Sequence, residues 1–309
     1  MPLRVLRLSR TPGHLIRRAQ QVHTAIWAQR LHGELTGPQY ASLVALAMEP
    51  GLDQNRLAVL ASLDKNTASD VVRRLAAHGW VQRSAHPADA RRRVLRLSAP
   101  ARAALRYLTP AAALVQQDLL QPVPAGRREI AIEFLARVAE VGAVLAVPGQ
   151  GGPGAGSDAP LADVPVLALA RTPGYLIRRA QQIHGKIWGN VVGAELTGPQ
   201  YAVLAALAAQ PGTDQATVGR LASLDTSSTA DIVSRLERGG WLRRGPSAQP
   251  GRRTELHVPA AAAERLNRIT PLAEEVQAQF LRPLCGPEAR SFTDDLALIA
   301  YQGAPPDAG

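Results

Sequence analysis

Apolar residues recur at helical spacing near the start of the chain. Leu15, Ala19, Val22 and Ile26 fall on one line, with Ile16, His23 and Trp27 beside it. This stripe predicts a long amphipathic helix, opened by Pro12-Gly13 and ending near Gly33. Thr36-Gly37-Pro38 starts a second helix, because Thr36 caps and Pro38 suits the first turn. That helix carries Tyr40, Leu43, Val44 and Leu46 and stops at Pro50-Gly51. Asp53 caps a short third helix bearing Leu57 and Leu60, and Asp64 caps a fourth from Lys65 to about His78. Ala68, Val71, Val72 and Leu75 are its inward positions. Trp80 to Arg83 and Val94 to Leu97 alternate as strands around the turn-rich tip SAHPADARRR. Two helical stretches close the pattern, Ala99 to about Leu120 and about Arg127 to Val144, with Pro110 placed to kink the former.

The same pattern then runs again. RTPG at Arg10–Gly13 returns at Arg171–Gly174, LIRRAQQVH at Leu15–His23 returns as LIRRAQQIH at Leu176–His184, and ELTGPQYA at Glu34–Ala41 returns unchanged at Glu195–Ala202. LASLD recurs at Leu221–Asp225, GWVQR becomes GWLRR at Gly240–Arg244, and Pro271 repeats Pro110. The offset stays constant, which is the mark of duplication. A Gly/Pro-rich stretch, PGQGGPGAGSDAP, separates the copies and reads as a tether. The expected organisation is a first domain over 1–147, a linker over 148–163 and a second domain over 164–309.

A short helix, a tight turn and a second helix with a polar, partly basic face predict a helix-turn-helix, and the hairpin after it predicts a wing. The order helix, helix, helix-turn-helix, wing, two long helices, with LTGPQY ahead and Asp89-x-Arg91 in the hairpin, resembles the MarR family of bacterial regulators. The resemblance covers nearly the whole chain twice. It implies a mainly α fold with small β wings: two winged helix-turn-helix domains in an intrachain pseudo-twofold dimer with an interlocked helical dimerisation region. Pairing of copies between chains is the alternative. A short tether favours pairing within one. The second wing departs from the pattern, with Pro250 where the first copy has Asp89.

Charge sharpens this picture. Lys and Arg outnumber Asp and Glu by 35 to 25, a net charge of +10 that suits a polyanionic partner. The candidate DNA contacts are Lys65, Asn66, Thr67, Ser69, Arg73 and Arg74 on the first recognition helix, and Thr226, Ser227, Ser228, Thr229, Ser234 and Arg235 on the second. Wing arginines Arg91, Arg92, Arg93, Arg252 and Arg253 suit a narrow minor groove. Because KNTASDVVRR and TSSTADIVSR differ, an asymmetric operator is expected.

A second site follows from the first helix. Arg18 falls on the apolar stripe and Arg17 on the opposite, wet face; Arg179 and Arg178 repeat the split. An inward cation wants an anion. In the family resembled, a first-helix arginine often meets a ligand carboxylate, a place that Arg18 and Arg179 match. His23, Trp27 and Tyr40, with His184, Trp188 and Tyr201, would line the site, and His14 and Tyr175 would make the two pockets unequal. The same residues could instead be plain core.

Other chemistry finds little support. The single Cys285 excludes an intrachain disulfide and reads as structural. The seven histidines show no close pair for a metal, and neither a catalytic motif nor a cofactor loop appears. Met1 to Ser9 is too short and too charged for a signal peptide, and no apolar run approaches a membrane span, so the cytoplasm is the expected compartment. The expectation is a sequence-specific repressor, not an enzyme, released by a small aromatic or phenolic carboxylate and acting as a monomeric pseudo-dimer. A non-specific nucleoid-type DNA binder, or a ligand-binding protein with one degenerate lobe, are the alternatives.

Overall fold

A computed structural model describes residues 3–86, 89–140, 161, 163–246 and 254–303, with only the backbone of 86 and 89–92. The first copy forms α1 (Pro12–Leu31), α2 (Gly37–Met48), α3 (Gln54–Leu60), α4 (Lys65–Ala77), β1 (Val81–His86), β2 (Asp89–Leu97), α5 (Ala99–Leu120) and α6 (Arg128–Val138). The second forms α7 (Pro173–Val191), α8 (Gly198–Ala209), α9 (Gln215–Leu221), α10 (Thr226–Arg238), β3 (Arg243–Pro246), β4 (Thr254–His257), α11 (Ala260–Leu281) and α12 (Gly286–Tyr301). The chain is mainly helical with two small antiparallel wings, as the pattern predicts. Among the described residues, no helix is long and apolar enough to cross a membrane.

Local chemistry sets the boundaries. Thr36 accepts from the Gln39 N–H while the Gln39 side chain accepts from the Thr36 N–H, and Thr197 and Gln200 repeat this reciprocal cap. Asp53 and Asp64 cap α3 and α4 as expected. Gly79 and Gly240 stop the recognition helices in the left-handed conformation, at φ +75° and +70°, which glycine adopts without a Cβ clash. Each kink proline, Pro110 and Pro271, sits inside one 22-residue helical run. Residues 141–160, most of the linker and the end of the last first-copy helical stretch, lie outside the described set.

The two compact units are not cut at the linker. One comprises residues 1–19 and 181–309 (unit 1), the other residues 20–180 (unit 2). The cuts fall inside α1 and α7, so each unit holds the winged body of one copy and the N-terminal arm of the other. The copies are thereby interlocked within one chain.

In unit 1 the arm is anchored by main-chain and side-chain bonds. The Leu6 N–H donates to the Tyr201 hydroxyl (3.1 Å), the Thr270 hydroxyl donates to the Arg4 carbonyl (2.9 Å) and the Gly13 N–H donates to Gln277 Oε1 (2.9 Å). Arg4–Glu274 and Arg10–Asp294 ion pairs flank these bonds. Leu3, Val5, Leu6 and Leu8 pack on a core containing Trp188, Tyr201, Leu204, Val233, Leu266 and Val276. Unit 2 repeats the scheme: the Leu167 N–H donates to the Tyr40 hydroxyl (3.2 Å), the Thr109 hydroxyl to the Pro165 carbonyl (2.8 Å), and the Gly174 N–H to Gln116 Oε1 (2.8 Å).

The arm must approach a histidine very closely. A Cβ on Gly13 would lie 1.9 Å from His184 Nε2, and one on Gly174 would lie 2.1 Å from His23 Nε2. Gly174→Ala is therefore expected to destabilise unit 2 by about 1–3 kcal/mol through overpacking. Denaturant unfolding of the variant beside the parent checks this; an unchanged midpoint would mean that the arm is not packed here.

Candidate DNA-binding surface and effector pockets

The recognition helices present the faces their sequences suggest. On α4, Lys65, Asn66, Ser69, Arg73 and Arg74 are exposed and Thr67 is half-buried, while Ala68, Val71, Val72 and Leu75 are buried. Asp64 caps the helix, accepting from the Asn66 and Thr67 N–H groups (both 3.0 Å) and from the Thr67 hydroxyl. These bonds hold its carboxyl below the usual range, the Thr67 hydroxyl being the main cause. Thr67 is therefore partly committed to the cap, and Ser228 is bound to Asp225 in the same way. Asp70 pairs with both Arg73 and Arg74, and Asp231 with Arg235, which aligns the arginines along the helix face.

Thr229 departs from expectation. It is 2% exposed, its hydroxyl donates to the Asp225 carbonyl (2.7 Å), and its side chain fills the space left by Gly219 on α9. The first copy has Ala58 and Ala68 at these places. Thr229 is thus a packing residue between α9 and α10. Thr226, Ser227, Ser234 and Arg235 are exposed.

β1 and β2 pair from Val81–Leu97 to Ala85–Arg93, with a bulge before His86–Asp89. Arg93 is exposed. A Leu52–Leu95 bridge ties the first wing to the segment before α3, and Thr213–Leu256 does so in the second. Arg91 and Arg92 lie on β2 with side chains outside the described residues; Pro250, Arg252 and Arg253 lie outside them altogether.

Unit 1 contains a cavity of about 320 Å³ lined by His14, Arg17, His184, Trp188, Tyr201 and Gln277, among others. The ring of Trp188 stands 5.6 Å from that of Tyr201, and His184 stands 5.3 Å from Phe280. The indole N–H is used by the Leu196 carbonyl (2.6 Å) and the Tyr201 hydroxyl by Leu6 and Thr270, so these residues offer the cavity mainly apolar faces. His184 Nε2 faces the amide nitrogen of Gln277 (3.3 Å) and therefore acts as the acceptor.

Arg17 is the cation of this cavity. Its Nη2 donates to the Ala222 carbonyl (2.5 Å) and meets His14 Nδ1 (3.2 Å), while its Nε is buried with no partner. Burial lowers its pKa to about 10, so it stays charged at neutral pH. In unit 2, Arg178 donates to the Ala61 carbonyl (2.7 Å), its Nε is likewise buried and unpartnered, and burial lowers it to about 10. Tyr175, His23, Trp27, Tyr40 and Gln116 occupy the positions matching His14, His184, Trp188, Tyr201 and Gln277.

Similarity to known proteins follows the same outline. The MarR family profile matches twice, at residues 34–92 and 194–253. The transcriptional regulator HosA of Escherichia coli is 32% identical over 125 residues, a match covering 40% of this chain and 92% of HosA. The chain belongs to the MarR family. The HTH-type transcriptional repressor NicR of Pseudomonas putida is 34% identical over 126 residues, covering 40% of this chain and 79% of NicR. A crystal structure of the PcaV transcriptional regulator from Streptomyces coelicolor with its natural ligand is 42% identical, covers 42% of this chain and 92% of that one, and superposes with a TM-score of 0.39. These MarR relatives are transcription regulators.

The sequence places Arg18 and Arg179 at the MarR ligand site, and the structure gives both other work. Arg18 donates to the Ala300 carbonyl at the end of α12 (2.7 Å) and to the Ser223 hydroxyl (3.0 Å), with its guanidinium 4.4 Å from the centre of the Tyr301 ring. Arg179 donates to the Ala139 carbonyl (2.5 Å). A cation at a helix C-terminus meets its partial negative charge. The expectation that Arg17 and Arg178 face water is overturned. Residues 11–16 are all buried, so this end of α1 has no wet face for the wheel to find. The arm exchange also divides the expected lining between the units: His14 lines the unit 1 cavity with His184, Trp188 and Tyr201, while Tyr175 belongs to unit 2 with His23, Trp27 and Tyr40.

Burial, helped by Arg17 and Arg178 respectively, lowers His184 and His23 to about 4. His14 is lowered well below the ordinary value by burial and by Arg17 and Arg18. All three are neutral in the native state and take up protons near pH 6.5 when unfolded. Stability is therefore full above pH 6.5 and falls as pH drops towards 4. Each of His23 and His184 contributes a slope of about 1.4 kcal/mol per pH unit. Unfolding titrations at pH 7, 6 and 5 are expected to show this loss, and a His23→Gln/His184→Gln variant is expected to reduce it to the part that His14 contributes. A parent curve already flat over that range would contradict the buried neutral assignment.

Proposed function

We propose that this protein is a single-chain transcription repressor whose grip on DNA is released by a small aromatic carboxylate. The observation that carries the reading is Arg17. One face of its guanidinium is buried at a cavity with Nε unpartnered, and the other holds the Ala222 carbonyl, one residue before Ser223. Ser223 stands in the left-handed conformation at φ +52° in the turn that leads to α10, and Ser62 stands at φ +53° ahead of α4. A side chain other than glycine is strained there and needs support. His14 Nε2 (3.2 Å) and Arg18 (3.0 Å) both contact the Ser223 hydroxyl. A carboxylate that takes up Arg17 Nε would redraw the bonds that support this turn, and DNA would weaken the carboxylate by the same factor.

The DNA side of the proposal uses Lys65, Asn66, Ser69, Arg73 and Arg74 on α4, and Thr226, Ser227, Ser234 and Arg235 on α10. Thr67 and Ser228 supply their remaining lone pairs, and wing arginines including Arg93 reach the adjoining groove. The first helix carries three exposed cations over this set and the second carries one, so the half-sites are read unequally and the operator is asymmetric. The exchanged arms support a chain that works as a monomeric pseudo-dimer in the cytoplasm. Repression follows the sign of the NicR relative.

Fluorescence anisotropy with DNA from upstream of its own gene tests the reading. Operator affinity is expected to exceed that for random DNA by at least about 1,000-fold at physiological salt. An aryl carboxylate is expected to release the operator, and Arg17→Ala/Arg178→Ala to abolish that release. A ratio near one would favour a nucleoid-type binder. Sedimentation at single-chain mass is expected for the complex-free protein. Arg73→Ala/Arg74→Ala is expected to weaken DNA binding at least tenfold, whereas no effect would mark α4 as the idle lobe.

A further inference from the structure

The unit 1 cavity and the matching region of unit 2 share a buried arginine and differ along the helix that lines the unit 1 cavity. On α7, Gly185 and Gly189 lie one turn apart on the face lining the unit 1 cavity, followed by Gly193 just beyond the helix. A Cβ added to any of the three would meet nothing within 4 Å. The first copy carries Thr24, Ala28 and His32 at these positions. Gly193 has a backbone reason as well, at φ +75°, but His32 holds the same left-handed conformation at φ +46°. Gly185 and Gly189 have none, being inside a helix, where glycine is disfavoured against alanine. What they create is an unobstructed entrance beside Arg17.

The inner wall differs too. His14 in unit 1 is replaced in unit 2 by Tyr175, whose hydroxyl donates to the Leu60 carbonyl (2.8 Å) and whose ring centre lies 5.5 Å from the Arg178 guanidinium carbon. Unit 2 therefore gives part of the space beside its cation to a fixed phenol ring. Buried polar atoms without a partner in unit 2 include the Arg178 Nε donor and the Gln20 Oε1 acceptor. A small hydroxylated carboxylate satisfies both. The unit 1 cavity, at about 320 Å³, exceeds the roughly 150 Å³ that a single benzene ring needs.

We propose that the pockets have diverged in size class. Unit 1 takes an aryl carboxylate extended by a second ring or a side chain through the glycine-lined mouth, and unit 2 takes only a single-ring hydroxyaryl carboxylate. The extended ligand binds once per chain and acts on the turn before α10 alone. This rests on the reading of Arg17 and Arg178 as effector cations.

Calorimetric titration of the full chain with 2-naphthoate and with 3-hydroxybenzoate separates the two ideas. The expected stoichiometry is one per chain for 2-naphthoate and two for 3-hydroxybenzoate. Arg17→Ala is expected to abolish 2-naphthoate binding, and Arg178→Ala to leave it within twofold. Gly185→Thr/Gly189→Ala, which installs the residues of the first copy, is expected to weaken 2-naphthoate at least tenfold while 3-hydroxybenzoate changes less than threefold. Circular dichroism melts of the same variants separate lost folding from lost binding. Two 2-naphthoate molecules per chain, or equal sensitivity to Arg17→Ala and Arg178→Ala, would overturn the divergence and leave the effector reading standing. Binding of neither probe would overturn both.

Discussion

The structure turns on a guanidinium that cannot shed its proton. An arginine side chain remains charged wherever it is put, so burying one demands acceptors for its donors. Arg17 finds the Ala222 carbonyl and the Nδ1 of His14, and leaves Nε with nothing. Three consequences follow. The imidazoles around it are held neutral, by burial first and by its charge second. The cavity beside it has a standing demand for an anion. And the carbonyl it does hold belongs to the turn of the helix-turn-helix, so whatever satisfies the demand is felt there.

The arm exchange gives this constraint its reach. Arg17 and Arg18 come from the first copy, while Ala222, Ser223 and Ala300 come from the second; Arg178, Ala61, Arg179 and Ala139 repeat the arrangement with the roles reversed. Each copy's first helix thus braces the helix-turn-helix that the other copy supplies. A tyrosine hydroxyl, a glutamine amide and a glycine without a Cβ fix the arm in register, and none of these is positioned to read DNA. The neighbouring arginines divide the work. Arg18 has carbonyl, hydroxyl and ring partners and serves as an anchor, whereas Arg17 is left partly unsatisfied at the cavity.

Much of this was legible along the chain, because caps, glycine stops and apolar spacing are local properties. Asp64, Gly79 and the stripe Ala68-Val71-Val72-Leu75 define α4 without any knowledge of its neighbours. The duplication was legible for a simpler reason, being identity of letters. What local patterns do not carry is a partner supplied from elsewhere. A helical wheel assigns one wet face to α1, and the incoming arm has none over residues 11–16, which is why Arg17 and Arg18 exchange roles. Thr229 was misread for a related reason. As a letter it matches the surrounding hydroxyls, but its place is that of Ala68, and aligning the two copies position by position would have shown it facing inward. The family resemblance implied interlocked helices, but the bounds of the compact units escape the sequence, since the composition change marks the linker while the cuts fall inside continuous helices.

Duplication within one gene also removes a restriction. In a homodimer every substitution appears twice, so a change that improves one site must be tolerated at the other. Here the copies vary independently, and where they vary is informative. Between the third and fourth helices, Gly219 meets Thr229 where the first copy has Ala58 and Ala68, one position losing the volume the other gains. On the exposed face of the recognition helix, Lys65 and Arg73 become Thr226 and Ser234 without any such compensation, while Arg74 is kept as Arg235. The helix carrying the pocket wall changes from Thr24 and Ala28 to two glycines at a cost in helix propensity, again uncompensated. Compensated change marks a position held for packing. Uncompensated change on the exposed face of the recognition helix and at the glycines lining one cavity alters what those surfaces offer to solvent, and it is there that the proposed difference in recognition between the two copies has its physical basis.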